Sequence, residues 1–410
     1  MSTHQSLYQT ILARICAATA QHDVPLYSTT RLALLVSGIL AAKSTTLSRI
    51  AAEIQALELT DAREQASIER RLRRTLNDPN LVPTTCYAPA LCSVLDWNEL
   101  LRGSRQVVVA VDESSRVEQI HLLRAALCYW GGSLPLAWVS WPQNRAQEKG
   151  HYWQQIDALF SQLAPLLPSG VQVIIVADRA YAVSNFIDRC TALGWHFVLR
   201  VTTTGSHRYQ EMGAEEQSLR EVVANKLSKP GQQWYGRGEL FKNAGWREVG
   251  IVGLWRKGQA EPLVVVSDLD LGWRVLGYYE RRFWIESGFR NDKSGGWRWE
   301  QSQVQGQEHH ERLLLAMAWA SLVSICVGVA EAQQRIAQER ERREKGSRGK
   351  PQRAKQSIFT QGLRALQRWL YGTHKGTMNW RLGELGAQSW LAQWHQAQLP
   401  APEFRGAQAT

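Results

Sequence analysis

Residues 106–112 read Gln-Val-Val-Val-Ala-Val-Asp, an apolar run that ends in a carboxylate. A short apolar run of this kind predicts a buried β-strand. Two more strands are predicted at 119–130 and 134–141, on either side of a Gly131-Gly132 turn. Three consecutive strands therefore begin the central part of the chain.

After residue 150, helical and strand patterns alternate. The predicted elements are a helix at 151–167, a strand at 171–177, a helix at 182–193 and a strand at 195–201. The order βββαβαβ places the chain in the α/β class and is the order of a ribonuclease-H-like core. Since the first and fourth strands lie side by side in that fold, Asp112 and Asp178, at the two strand ends, are expected to meet.

Residues 202–272 interrupt this alternation. They contain short β-like pieces separated by glycines and predict an insertion of mostly β structure. A helix follows at about 276–292 and is expected to stop at Gly295-Gly296.

Tyr279, Arg282, Glu286 and Lys293 share one face of that predicted helix. At about 100° per residue they fall on a stripe roughly 60° wide. A stripe of this kind is usually a salt-bridged solvent face. Because this one follows two strand-end carboxylates in a nuclease-like order, a functional site is the favoured interpretation.

The acids Asp112, Asp178 and Glu286 are the candidate catalytic residues and metal ligands. Mg²⁺ prefers hard oxygen ligands, and two or three carboxylates suffice when phosphate oxygens complete its shell. We expect Mg²⁺, with Mn²⁺ as an accepted substitute, to support in-line phosphoryl transfer with two ions about 4 Å apart. Arg282 and Lys293 are expected to hold neighbouring DNA phosphates.

The N-terminal region is predicted to be helical from about residue 28 to 76. A break at Lys43-Ser44-Thr45 indicates either a helix-turn-helix or an ordinary αα-hairpin. The next helix carries four arginines that are either a DNA-binding face or a solvated basic face. They are Arg70, Arg71, Arg73 and Arg74.

The formal net charge of +11 and a pI near 9.5 favour a polyanionic partner, with nucleic acid ahead of an anionic membrane surface. The six scattered cysteines suit a reduced compartment and predict no zinc site. No signal peptide is expected at the N-terminus. His309-His310 is interpreted as a pair of surface histidines, because adjacent helical residues diverge.

The uncharged stretch 313–330 is long enough to approach a membrane span, but a buried helix is the preferred interpretation. Residues 340–355 are rich in Arg and Lys and predict a basic linker. The predicted division is a helical DNA-binding region at 1–104, a catalytic domain at 105–330 and a linker with a helical C-terminal region at 331–410.

Asp112, Asp178 and the spacing Tyr-x2-Arg-x3-Glu-x6-Lys from Tyr279 to Lys293 resemble the YREK signature of the DDE transposases of the insertion-sequence-four family. The similarity covers about 106–324 and implies a ribonuclease-H-like catalytic domain with a β-rich insertion. It implies an endonuclease and strand-transfer activity in which a homodimer moves DNA by cutting and joining terminal inverted repeats and target DNA. Tyr279, Arg282 and Lys293 would bind the transposon end near its 5′ phosphate. The implied location is the bacterial cytoplasm, on the nucleoid when DNA is bound, without a membrane.

Better-known relatives cut through a DNA hairpin and stack a flipped base on a tryptophan before the YREK helix. No tryptophan stands at the start of the corresponding strand here, at Glu261-Pro262-Leu263; Trp234, Trp246 and Trp255 are alternatives. Two other functions stay open. One is a nuclease that cuts without joining, and the other is a non-catalytic, sequence-specific DNA-binding protein derived from a transposase.

Overall fold

The computed structural model describes residues 2–101, 105–116, 118–203, 207–242, 245–270, 272–345, 356–372 and 378–382. Helices occupy the N-terminal hundred residues. They are α1 (Thr3–Thr19), α2 (Leu26–Ala42), α3 (Leu47–Ala56), α4 (Gln65–Leu76), α5 (Pro83–Cys86), α6 (Ala88–Val94) and α7 (Trp97–Leu100).

The described strands form one mixed sheet of ten strands. They are β1 (Gln106–Arg116), β2 (Ile120–Tyr129), β3 (Gly132–Pro142), β4 (Gln172–Ala177), β5 (His196–Arg200), β6 (Arg208–Glu211), β7 (Gln217–Ser218), β8 (Gln233–Leu240), β9 (Arg247–Leu254) and β10 (Leu263–Ser267). Their order across the sheet is β3-β2-β1-β4-β5-β10-β9-β8-β6-β7. The β1–β4 and β4–β5 pairs are parallel, whereas the other pairs are antiparallel.

Helices connect and cover these strands. They are α8 (His151–Leu163), α9 (Ser184–Ala192), α10 (Leu219–Lys226), α11 (Arg274–Arg281), α12 (Phe283–Arg290), α13 (Gln307–Glu344) and α14 (Ile358–Leu370). The predicted order βββαβαβ is therefore confirmed for β1 to β5, and so is the expected pairing of the first strand with the fourth.

The segment 202–272 is mostly β structure, as predicted, with α10 inside it. It is continuous with the central sheet, because β10 returns to pair with the edge of β5, with Val266 opposite Leu199. The apolar residues of β10 are buried because the strand lies between β5 and β9 in the sheet.

The helix predicted at 276–292 differs in detail. It is interrupted at Arg282 between α11 and α12 and ends in a π-helical turn at Asn291–Gly295. Around the interruption, Ile285 N–H donates to the Arg282 carbonyl at 3.1 Å, three residues back instead of four. The helical path therefore tightens at Arg282 and widens after Arg290.

The long helix α13 corrects the predicted extent of the basic linker. Residues 340–344 of the predicted basic linker belong to this helix, and residues 346–355 lie outside the described residues. The predicted domain boundary at residue 330 falls inside the helix. Among the described residues, α13 is the one helix whose length and apolarity suit a membrane span, and its apolar stretch is buried within the protein. The preference for a buried helix at 313–330 is confirmed.

The start of α3 is covered by another part of the chain. Thr45 and Thr46 donate hydroxyl hydrogen bonds to the carbonyls of Arg298 and Gln301, at 3.2 and 3.3 Å, and Arg49 contacts the Gln301 side chain. In a helix-turn-helix, the first residues of the second helix face the bases. These contacts therefore favour the αα-hairpin, and the helix-turn-helix role stays a prediction.

Candidate active site

Asp112 and Asp178 occupy equivalent places on two parallel strands. The last registered pair of β1 and β4 joins Ala110 to Val176. Asp112 lies two residues farther along β1, and Asp178 lies two residues after Val176, directly beyond the end of β4. Because side chains alternate with period two, both carboxylates point to the same side of the sheet. Asp112 lies within β1 and not at its end, since β1 continues to Arg116 in its pairing with β2.

Asp178 leaves the sheet at the point where β4 ends. Its Oδ1 accepts the backbone N–H of Ala180 at 2.8 Å and caps the short 3₁₀ helix Arg179–Tyr181. This hydrogen bond fixes the carboxyl group at the carboxyl end of the parallel strands.

The Arg282 guanidinium links Asp112 to the third acid. Its Nη1 lies 3.0 Å from Asp112 Oδ2, and its Nη2 lies 2.5 Å from Glu286 Oε1. The side chains of Asp112 and Arg282 are 16% and 10% exposed, whereas that of Glu286 is 43% exposed. Glu286 thus lies on the solvent-exposed side of the site, whereas Arg282 and Asp112 lie in its buried part.

Burial raises the pKa of Asp112 to about 6, and the adjacent Arg282 opposes this shift. The charges of Asp178 and Glu286 each push the same pKa upward. Asp178 and Glu286 are therefore close enough to Asp112 for their charges to affect its protonation. Such a site gains most from a cation, because a cation removes the mutual repulsion.

The donor chemistry suits a divalent metal ion, since carboxylate oxygens are the ligands that Mg²⁺ prefers. In the present arrangement, however, no three His, Cys, Asp or Glu side chains of the described residues are grouped closely enough to hold one ion. The Arg282 guanidinium takes the cationic position between two of the acids. The residues fit a metal in type, and in this arrangement the positive charge between Asp112 and Glu286 is supplied by Arg282.

A buried ion pair holds the acid-bearing helix against the sheet. Arg124 Nη1 lies 2.6 Å from Asp292 Oδ2, and both side chains are 4% exposed. The Arg124 guanidinium also stacks 5.0 Å from the Phe289 ring. Arg124 is paired with Asp112 across β1 and β2. This pair was not predicted from the sequence, although a lone arginine inside an otherwise apolar strand indicates a buried partner.

Gly288 permits the close approach of α12 to β3. A Cβ at this position would lie 2.3 Å from Ser133 Oγ. A Cβ here would require the Ser133 hydroxyl to rotate away, since the Ser133 Cβ itself would lie at an ordinary contact distance of 3.8 Å.

Tyr279 and Lys293 differ in their placement. Tyr279 is buried, and its ring lies 6.0 Å from the Arg282 guanidinium and 6.0 Å, edge-on, from Phe283. The buried Tyr279 ring therefore packs against the Arg282 guanidinium. Lys293 is half-buried in the π-helical turn and forms no ion pair with a described residue. The structure brings Tyr279, Arg282 and Glu286 together; it shows no contact that joins Lys293 to them.

The four arginines predicted to bind DNA lie on α4. Two are paired with carboxylates, Arg71 with Asp61 at 2.7 Å and Arg73 with Glu69 at 2.6 Å. Arg70 and Arg74 are exposed and have no ion pair within the part of the chain that is described. Their role in DNA binding stays a prediction.

A second polar cluster borders the acids. Glu113 Oε1 lies 2.6 Å from His121 Nδ1, and the His121 ring stacks on Trp141 with centroids 5.2 Å apart. Tyr152 meets Trp141 edge-on at 6.2 Å. Burial raises the pKa of Tyr152 to about 12, and the nearby charges of Glu113, Asp178 and Asp112 add to it. This cluster escaped the motif analysis because its members come from separate elements.

Of the tryptophans considered for a flipped base, Trp234 is buried against Tyr209 and belongs to the core. Trp246 and Trp255 are half-buried. Phe283, next to Arg282, is 48% exposed and lies closer in sequence to Glu286 than any of the three tryptophans.

The family model for the transposase DDE domain matches residues 114–323, just over half of the 410 residues. The match contains Asp178, Arg282 and Glu286 and begins two residues after Asp112. No curated protein matches the chain significantly. On the extent of the domain match, the chain belongs to the transposases with a DDE domain.

Proposed function

We propose that this transposase is of the insertion-sequence-four type, with the YREK spacing, and that it cleaves and joins terminal inverted repeats. The observation that carries the proposal is the register of β1 and β4. It sets Asp112 and Asp178 side by side, and Arg282 connects Asp112 to Glu286. A ribonuclease-H-like core with these three catalytic acids is part of the proposal.

The residues have distinct roles in this mechanism. Asp112, Asp178 and Glu286 would hold the divalent ions through carboxylate oxygens. The bound ions supply activation of the attacking hydroxyl and stabilisation of the leaving oxygen. Arg282 presents a planar fork that suits a DNA phosphate, and Lys293 adds a point charge. The Arg124–Asp292 pair keeps α12, and with it Glu286, seated on the sheet.

The proposed partners are the double-stranded terminal repeats, the target DNA and a second copy of the chain. The family implies DNA binding, and the net charge of +11 supports it. Arg70 and Arg74 of α4, which are exposed and form no ion pair with any residue in the described ranges, are candidate phosphate contacts. The proposed location is the cytoplasm.

The decisive experiment uses the purified full chain and a linear duplex that carries the DNA flanking its gene. The duplex is incubated with Mg²⁺, with EDTA, and with a Glu286→Gln variant. Glu280→Gln is the matched control, because Glu280 lies on the neighbouring helix and pairs with Arg256 outside the acid cluster. We expect metal-dependent cleavage at inverted repeats and joined products on a second plasmid, both lost in Glu286→Gln and kept in Glu280→Gln.

The other outcomes separate the competing functions. Cleavage without joined products indicates a nuclease. Binding without metal-dependent cleavage indicates a non-catalytic DNA-binding protein, and the catalytic proposal is then wrong.

A further inference from the structure

The Arg282 guanidinium stands where a metal ion would have to bind. One face of its fork meets Asp112 Oδ2 at 3.0 Å and the other meets Glu286 Oε1 at 2.5 Å. The side chain is 10% exposed. Its guanidinium lies 4.8 Å from the Phe283 ring and 6.0 Å from the Tyr279 ring. The arginine is thus a built-in counter-cation, packed between two aromatic rings.

In this arrangement each carboxylate oxygen of Asp112 already accepts one hydrogen bond. Its Oδ1 accepts the Glu113 N–H at 2.9 Å, while Oδ2 accepts Arg282. A divalent ion on the same oxygens would stand within a few ångströms of a fixed positive charge, and the two cations repel strongly in a half-buried site. Metal and guanidinium therefore compete for Asp112 and Glu286.

A displaced Arg282 needs another anion. Burying an arginine without a partner is costly, so the side chain leaves the acids readily only when an alternative acceptor is present. A DNA phosphate offers two oxygens that match the guanidinium fork. Phe283 and Glu286, which flank the Arg282 side chain, are both partly exposed to solvent. In our proposal the Arg282 side chain turns toward this exposed side.

We propose that Arg282 is a latch that keeps the acids from binding metal until a DNA phosphate draws it away. The inference rests on the proposed function and adds regulation of the same site. It predicts that DNA and metal bind with positive coupling, and by linkage each tightens the other by the same factor. The free protein would then bind metal weakly and act little on DNA that does not reach Arg282.

The test measures Mn²⁺ binding to the full chain without DNA, by titration with detection of free Mn²⁺ by electron paramagnetic resonance. The variants are Arg282→Gln and Arg282→Lys. Arg237→Gln is the control for the loss of one positive charge, since Arg237 pairs with Glu248 on the surface. Glu286→Gln reports whether the acids are the site of binding.

We expect Arg282→Gln to bind Mn²⁺ about tenfold more tightly than the wild type, within the usual range of coupling between sites. Arg282→Lys should behave similarly, because a single ammonium cannot bridge both acids with the same fork. A duplex with a 5′-phosphorylated end should tighten Mn²⁺ binding to the wild type and have a smaller effect on both variants. Arg237→Gln should match the wild type.

Two results would overturn the latch. Equal Mn²⁺ affinity in wild type and Arg282→Gln, with binding abolished by Glu286→Gln, leaves the metal site in place and removes the competition. If Arg282→Lys binds Mn²⁺ as weakly as the wild type, any positive charge at this position has the same effect. The bridge between the two acids is then not needed. If no variant binds Mn²⁺ with or without DNA, the proposed function itself fails. Thermal unfolding followed by circular dichroism checks that each variant is folded.

Discussion

His310 illustrates how one side chain ties the site region to the rest of the protein. It is buried, with Nε2 2.9 Å from Gln119 Oε1, and its Nδ1 accepts the Trp299 indole N–H at 3.4 Å. These contacts require the neutral ring with hydrogen on Nε2. Burial, and then the nearby positive charge of Arg116, lower the pKa of His310 to about 4.

The lowered pKa predicts a pH-dependent stability. The unfolded chain takes up the proton near pH 6.5, whereas the folded protein resists it until about pH 4. Stability from this group is therefore complete above pH 6.5 and lost as the pH falls toward 4, by about 3 kcal/mol in total. Urea unfolding between pH 4.5 and 7 measures this loss. His310→Gln should lose much of this pH dependence, while His309→Gln, at the half-buried neighbouring position, should keep it. Parallel pH profiles for wild type and His310→Gln would contradict the assignment.

At this scale the sequence predicted some residues and missed others. The positions of Asp112 and Asp178 next to paired strands followed from the strand pattern, because both come directly after apolar runs. The catalytic role of these two acids and of Glu286 stays a prediction. The interpretation of both adjacent histidines as surface residues was wrong for His310, because its burial depends on packing against strands almost two hundred residues away. Local patterns carry no information on such contacts.

At the scale of elements, the crossing of α13 and α14 depends on two glycines. A Cβ on Gly362 would lie 1.7 Å from the Ser324 carbonyl oxygen, and one on Gly328 would lie 2.1 Å from the Ile358 carbonyl oxygen. The obstructing atoms are backbone, so a side-chain rotation cannot relieve the overlap. The two helices pack at a distance that only glycine permits.

Gly362→Ala is therefore expected to destabilise the protein by about 1–3 kcal/mol or more, because α14 must move away from α13. The free energy of unfolding in urea measures the effect. Gly132→Ala is the control, since its added methyl would meet nothing closer than the Tyr129 carbonyl oxygen at 3.8 Å. Equal stability of both variants would show that the crossing tolerates a wider spacing.

The bounds of the helices and strands could be predicted well from the spacing of apolar residues along the sequence. The strands of the core and α8 lie within a few residues of their predicted bounds. Two features did not follow. The pairing of β10 with β5 joins distant segments, and the helix is interrupted at Arg282, the residue whose side chain contacts Asp112 and Glu286.

At the scale of the whole molecule, hydrogen bonds cross the predicted domain boundaries. Trp319 donates to the Cys86 carbonyl at 2.9 Å, and Tyr87 donates to the Pro135 carbonyl at 3.0 Å. Gln367 on α14 reaches the Leu40 carbonyl at 2.7 Å. The buried hydrophobic residues of all three predicted regions form one cluster. The described part of the chain is therefore a single packed body.

This shared core predicts cooperative unfolding. The N-terminal helices, the sheet and α14 should lose structure together, since none keeps a complete apolar core without the others. Far-ultraviolet circular dichroism and tryptophan fluorescence should give coincident urea transitions. Two well-separated transitions would instead support the division into independent domains at residues 104 and 330.

The buried middle of α13 also determines when the helices that pack against it can finish folding during synthesis. The helices α2 and α4 pack against this segment, and its buried residues extend to Ala332. A ribosome adds roughly 5–20 residues per second, so about 15–70 s pass between the first residue and this one. During that time the opening helices leave the ribosome with their apolar faces uncovered. The packing of α2 and α4 is thus completed only after the buried part of α13, which lies more than two hundred residues later in the chain, has been synthesised.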